Sequence, residues 1–210
     1  MTPQEAWETL NDAIALHQAY MKAPSAAKVP NLERTIRLYE AGLEVLAEQD
    51  FPVEWAMTMN NLANTYRNLP TGDRGANLKR AIECCEAALR VYTEQAFPVD
   101  WAATMNNLAN AYGDLPTGDR GANLKRAIEC YQAALRVRTE QAFPVEWAMT
   151  MNNLANTYWG LPTGDRGANL KRAIECYQAA LRVYTEQTFP VDWADDDEQP
   201  GECLWGSADR

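Results

Sequence analysis

Residues 51–96 read FPVEWAMTMNNLANTYRNLPTGDRGANLKRAIECCEAALRVYTEQA. The phrase returns at Phe97 and at Phe143, 46 residues apart each time, and its opening FPVDWA returns at Phe189. The three full copies, 51–96, 97–142 and 143–188, differ from one another at only five to eight positions. A fixed period of this length is the signature of a repeat architecture. Such near-identity points to recent duplication. It does not single out functional positions, because too little has diverged for the constrained residues to stand out.

The first fifty residues are a worn copy of the same unit. Shifted by 46 without a gap, Leu16 falls on Leu62, Tyr20 on Tyr66 and Pro24 on Pro70. Further on, Leu32 falls on Leu78, Ile36 on Ile82, Ala41 on Ala87 and Val45 on Val91. What survives is mostly apolar or turn-forming, as a shared core requires. The organisation expected is a degenerate repeat over 1–50, full repeats over 51–96, 97–142 and 143–188, and the stub of another over 189–194.

Within a unit the apolar spacing is helical. Trp55, Met59, Leu62, Ala63, Tyr66 and Leu69 follow steps of three and four, and so do Leu78, Ala81, Ile82, Cys85, Ala88, Leu89 and Tyr92. Between the two runs, Leu69-Pro-Thr-Gly-Asp-Arg-Gly75 must break a helix. Thr71 or Asp73 can cap the second helix. Pro52, Pro98 and Pro144 suit a first helical turn, with Glu54, Asp100 and Glu146 at the positive end of the dipole. Thr2-Pro3-Gln4-Glu5 reads as a capping box. One helix–turn–helix pair cannot bury its apolar faces alone, whereas stacked pairs can. The expected fold is all-α, a right-handed α-solenoid of helix–turn–helix repeats.

Leu62, Ala63 and Tyr66 on the first helix, with Ala127, Tyr131 and Ala134 on the second, resemble the tetratricopeptide repeat, lengthened here from its usual 34 residues. Cys85 replaces the aromatic in the first full unit, and Met59 stands where that family often has Trp. The long form is similar to repeats of kinesin light chains and of bacterial signalling proteins, some carrying caspase-like CHAT domains. The resemblance covers residues 5–194. It implies a concave groove lined by the first helix of each repeat. Carried across, the groove residues are Met57, Asn60, Asn64, Arg67 and Asn68, then Ala103, Asn106, Asn110, Gly113 and Asp114, then Met149, Asn152, Asn156, Trp159 and Gly160.

Asn is a poor helix former, so Asn60, Asn61 and Asn64 in one helix need a reason. A carboxamide both donates and accepts, and a ladder of them could grip a peptide backbone. The alternative is an Asn ladder bonding between neighbouring helices, and both readings stay open. The pair at 67–68 varies most between copies: Arg-Asn, Gly-Asp and Trp-Gly. That variation either tunes a ligand or is drift. Trp159 suits an aromatic anchor. A two-carboxylate clamp for an acidic C-terminus would need more cations beside the Asn residues. Arg67 is the only one on the groove side.

Composition excludes other classes. Nineteen Lys and Arg against 29 Asp and Glu leave a formal charge of −10, which argues against nucleic acid as the main partner. No apolar run reaches the ~18 residues that span a bilayer. No secretory signal opens the chain, so five cysteines suggest reduced thiols and a cytoplasmic protein. Cys84, Cys130 and Cys176 fall one repeat apart and suit small core positions, while Cys203 suits a free thiol. A lone histidine, His17, falls at the position of Ala63 and suits packing. Arg74, Lys79 and Arg80 recur beside Asp73 and Glu83, which suits a solvated, ion-paired face. No catalytic residue, metal site or cofactor is expected.

Residues 195–210, DDDEQPGECLWGSADR, supply −5 of the −10 and read as a disordered acidic tail. Allowed codons for them, started one base later, spell TTMNNLANAYGDLPTG, which matches residues 104–118 after its first Thr. The tail is then a frameshifted reading of a further repeat. The expected function is a non-catalytic protein-interaction scaffold for a peptide or protein, with neither membrane nor nucleic-acid partner. A detached sensor fragment of a larger bacterial signalling protein, or a frameshifted remnant without a function, are the alternatives. A last helix exposing Leu170, Ile174, Tyr177 and Leu181 would favour end-to-end self-association.

Overall fold

The computed structural model describes residues 2–22 and 25–185, with the side chains of 20–22 and 25–29 excepted. Among these residues are eight α-helices and no strand. They are α1 (Pro3–Lys22), α2 (Ser25–Leu43), α3 (Pro52–Asn68), α4 (Arg74–Ala88), α5 (Pro98–Asp114), α6 (Arg120–Ala134), α7 (Pro144–Gly160) and α8 (Arg166–Ala180). Successive helices pack in pairs: α1 with α2, α3 with α4, α5 with α6, α7 with α8. The chain divides into two compact units between Val137 and Arg138. In the first, α2 also packs on α3 and α4 on α5, and the leading helices of successive pairs touch, α1 with α3 and α3 with α5. The second unit contains the α7–α8 pair. The expected stub at 189–194, the acidic tail and Cys203 lie outside the described residues.

Local chemistry sets the helix ends. Proline opens α3, α5 and α7, where its missing N–H costs nothing. Between Thr71 and Asp73, the cap of α4 is Asp73, whose carboxylate accepts from Ala76 N at 2.6 Å. Asp119 and Asp165 repeat this on Ala122 and Ala168. The turn before each cap passes through a left-handed residue, Gly72 (φ +76°), Gly118 (φ +80°) or Gly164 (φ +82°), a region glycine enters without a Cβ clash. The side chain of Asn77 ties the turn down by donating to Thr71 O at 2.8 Å. At the N-terminus the capping box forms as expected. Glu5 N donates to Thr2 Oγ1 at 3.2 Å, and Thr2 N to Glu5 Oε2 at 2.7 Å. Asp119→Ala should lower stability by about 1 kcal/mol. Urea denaturation followed by circular dichroism measures it, and an unchanged midpoint would remove the cap from the account.

Two boundaries differ from the sequence expectation. The apolar spacing carries the second helix through Leu89 to Tyr92, but α4 ends at Ala88. The backbone then tightens: Arg90 N bonds Ala87 O and Val91 N bonds Ala88 O, each at 3.1 Å. These are i→i−3 bonds of a closing turn. Register alone would also place a copy of the Pro/Gly turn at residues 24–29. Instead α2 starts at Ser25 and has Pro30 within it. That stretch contains no glycine to supply a positive φ, so the turn chemistry of the later repeats has no counterpart there.

Small side chains fill much of the core beside leucines such as Leu10, Leu78 and Leu124. Ala56, Ala88, Ala109, Ala127, Ala134 and Ala148 are fully buried. So are Thr58, Thr104 and Thr150. Each of these threonines donates its hydroxyl to the carbonyl four residues back, Glu54, Asp100 and Glu146, at 2.7–2.8 Å. The hydroxyl is satisfied within its own helix, so the threonine packs like a valine without an orphaned polar atom.

Candidate functional site

The expected groove residues of the first unit are mostly engaged inside the protein. Met57 packs on the cluster of Ala56, Ala88 and Tyr92. Asn60 Oδ1 accepts from Asn107 Nδ2 on the next leading helix at 3.0 Å. Asn106 is buried. Asn110 Oδ1 accepts from Tyr131 OH at 2.6 Å. At Asn60 and Asn110 the amides bond between helices, which was the alternative to gripping a ligand. Arg67 is not a free cation. Its Nε lies 2.9 Å from Asp114 Oδ2, and Arg74 Nη2 reaches the same oxygen at 3.4 Å. The variable pair at 67–68 thus includes an ion pair between successive repeats, Arg67 in one and Asp114 in the next.

Asn64 shows how one substitution is absorbed. In later repeats a tyrosine of the second helix meets this amide, Tyr131 with Asn110 and Tyr177 with Asn156. Cys85 has no hydroxyl to offer. Asn64 instead accepts from Asn68 Nδ2 at 3.1 Å and donates to His17 Nε2 at 3.4 Å. Thr65 Oγ1 already donates to Asn61 O at 2.8 Å, so at 3.1 Å it accepts from His17 Nδ1–H. These partners select the Nδ1–H tautomer, with Nε2 as acceptor.

Burial pulls the pKa of His17 below its ordinary 6.5. The native state therefore favours the neutral ring. The unfolded chain takes up the proton first as pH falls through 6.5, and stability drops from there down to the lowered native value. The unfolding midpoint of the wild type should fall more between pH 7.5 and 5.5 than that of His17→Gln. Equal falls would show that His17 does not couple.

The second unit differs. Val145, Met149, Asn152, Asn156 and Trp159 recur at steps of four, three, four and three, so they share one face of α7. Met149 and Trp159 are each 48% exposed, and Val145 and Asn156 are exposed too. Asn152 is half-buried. Arg166 lies 5.5 Å over the Trp159 ring and donates to Trp159 O. On α8, Ile174 and Leu181 are exposed as expected and Leu170 is half-buried. Tyr177 is not exposed: it turns inward, and its hydroxyl donates to Asn156 Oδ1.

Sequence reading missed a recurring clasp. Arg90 Nε and Nη2 meet Glu48 Oε1 and Oε2 at 3.0 and 2.7 Å, with the guanidinium 5.0 Å over Trp55. Arg136, Glu94 and Trp101 repeat it, as do Arg182, Glu140 and Trp147. The arginine holds the Glu48, Glu94 and Glu140 carboxyls below their usual range. The signal was an unvarying Glu, Trp and Arg in each copy, hidden because nearly everything else is unvarying too. Arg74 is exposed and ion-paired as expected, with Asp114, and it also donates to Arg67 O at the end of α3. Arg80 and Glu83 do pair on the surface, at 3.2 Å.

Among the described residues no group of His, Cys, Asp or Glu could hold a metal ion, and no helix is long and apolar enough to cross a membrane. Cys84, Cys85, Cys130 and Cys176 are buried and free. Burial pushes the thiols of Cys84 up to about 12 and of Cys130 and Cys176 up to about 11, far from the thiolate a nucleophile needs. No protein-family model matches the chain, and no curated protein matches it.

Proposed function

We propose that the chain is a non-catalytic protein-interaction scaffold of the cytoplasm, a right-handed α-solenoid of tetratricopeptide-like repeats holding a peptide or protein against its leading helices. The observation that supports this reading is the uncovered face of α7. Two large apolar side chains, Met149 and Trp159, stand on it with Asn152 and Asn156 between them. The exposed apolar residues offer anchors, and Asn152 beside them offers an amide to a peptide backbone, while Asn156 Oδ1 is taken by Tyr177 OH. Met149 and Trp159 are ten residues apart, about 15 Å along the helix axis. An extended peptide spans that distance in about five residues. The ligand expected is therefore a segment with two apolar side chains about five positions apart.

Selection from a displayed peptide library tests this. Peptides with that spacing should be enriched, should lose binding to a Met149→Ala, Trp159→Ala double variant and should keep binding to Asn60→Ala. If no peptide is enriched, or if the enriched ones bind the double variant equally well, the reading fails.

A further inference from the structure

We propose that two equivalent sites of the first unit, one repeat apart, bind arginine side chains of an extended partner segment, with the arginines three positions apart. The proposal goes beyond the α7 face and does not depend on it.

A cleft of about 310 Å³ opens between α4, α5 and α6, with Leu89, Met105 and Leu108 on its apolar side. It is at the small end for a ligand pocket, which suits a side chain. On its rim Glu86 Oε1 accepts from Tyr112 OH at 3.1 Å. The remaining rim charges answer each other, Arg126 Nη1 lying 3.5 Å from Glu129 Oε2. Glu86 is exposed, and no lysine or arginine among the described residues forms an ion pair with it.

The same groups recur one repeat earlier. Tyr66 OH donates to Glu40 Oε1 at 2.6 Å, and Arg80 pairs with Glu83 at 3.2 Å. Leu43, Met59 and Leu62 stand 46 residues before Leu89, Met105 and Leu108. Glu40 is exposed and, like Glu86, has no cation paired with it among the described residues. Each site is left with one uncompensated carboxylate beside a tyrosine. In the later copies Gln132 and Gln178 take this position, so the acid is confined to these two sites.

The chain itself shows what a glutamate beside an aromatic ring takes. Glu48, Glu94 and Glu140 each hold an arginine by both oxygens, with the guanidinium 5.0–5.2 Å from the centroid of Trp55, Trp101 or Trp147. Glu40 with Tyr66 and Glu86 with Tyr112 are such pairs without the arginine. A guanidinium also fits this tyrosine. Arg172 lies 5.6 Å over the ring of Tyr158, the equivalent of Tyr112, and donates to its hydroxyl at 3.2 Å. Arg126, at the position of Arg172, is turned to Glu129 instead. The planar fork of arginine meets a carboxylate with two bonds and stacks on a ring, which a lysine ammonium does not do.

The spacing follows from the packing. α3 and α5, which carry the two tyrosines, touch directly. Packed helices lie about 8–10 Å apart. In a polyproline II segment, residues three apart share a face and are separated by about 9 Å. One such segment reaches both sites.

The probe is the fluorescein-labelled peptide PRPPRP, titrated into the full chain at about 0.1 M salt and read by anisotropy. Saturable binding is expected. The Glu40→Gln, Glu86→Gln double variant should bind it at least about tenfold more weakly. That variant should fold, because Gln132 and Gln178 already take the position, and helical circular dichroism checks it. PKPPKP, with lysines, and PRRPPP, with the wrong spacing, should both bind more weakly. The Met149→Ala, Trp159→Ala variant should bind PRPPRP as the wild type does, which separates this surface from the α7 face. Equal binding to the glutamine variant, equal binding of either control peptide, loss of binding in the Met149→Ala, Trp159→Ala variant, or no binding at about 1 mM peptide would overturn the proposal.

Discussion

Leu78→Ala should lower the free energy of unfolding by about 2–5 kcal/mol, and Leu170→Ala should cost about half as much or less. Leu78 is fully buried, and its removal leaves a cavity that α4 and α5 cannot close without moving. Leu170 has the same neighbours in sequence but is only half-buried, so truncation there forfeits less transfer energy and opens less cavity. Urea denaturation of the two variants, fitted with a common slope, decides it. Equal losses would mean that the two helices are equally covered in solution. The exposed face of α8 would then be withdrawn.

Trp159→Ala should cost about 2 kcal/mol of ligand affinity, close to thirtyfold, and Met149→Ala somewhat less. Neither should shift the unfolding free energy by more than about 0.5 kcal/mol. Both side chains are half exposed, so little native packing is lost with them. The contact Trp159 makes with the Arg166 guanidinium is at the surface and adds little to stability. A library-derived peptide titrated into each variant gives the affinity, and the same samples give the midpoint. A fall in stability with unchanged affinity would make Trp159 a structural residue and remove the anchor from the α7 face.

The groove expectation and the structure part company over the asparagines. Asn60, Asn64 and Asn110 were placed in a groove by the resemblance, which assigns positions along a single helix. Whether an amide faces a ligand or a neighbour depends on the next helix, and in the first unit that neighbour is present: Asn107 for Asn60, Tyr131 for Asn110. Met57 and Met149 make the point more sharply. They occupy the same position in nearly identical repeats, yet one packs on a core cluster and the other is 48% exposed. The Arg90–Glu48–Trp55 clasp was out of reach for a related reason. Its acid sits in a connecting turn, 42 residues before the arginine in every copy, and only packing shows that this carboxylate meets the next repeat's arginine.

By itself the sequence determined the helix pairs, because period, proline, the positive-φ glycines and the Asp73, Asp119 and Asp165 caps are local properties that act within a few residues. Tertiary structure alone decided which faces are spent and which are left open. Burial is a property of pairs of surfaces, so Gly75, Leu78 and Ile82 are buried on α4 while Gly167 and Ile174 are exposed and Leu170 is half-buried at the same places in an identical stretch of α8.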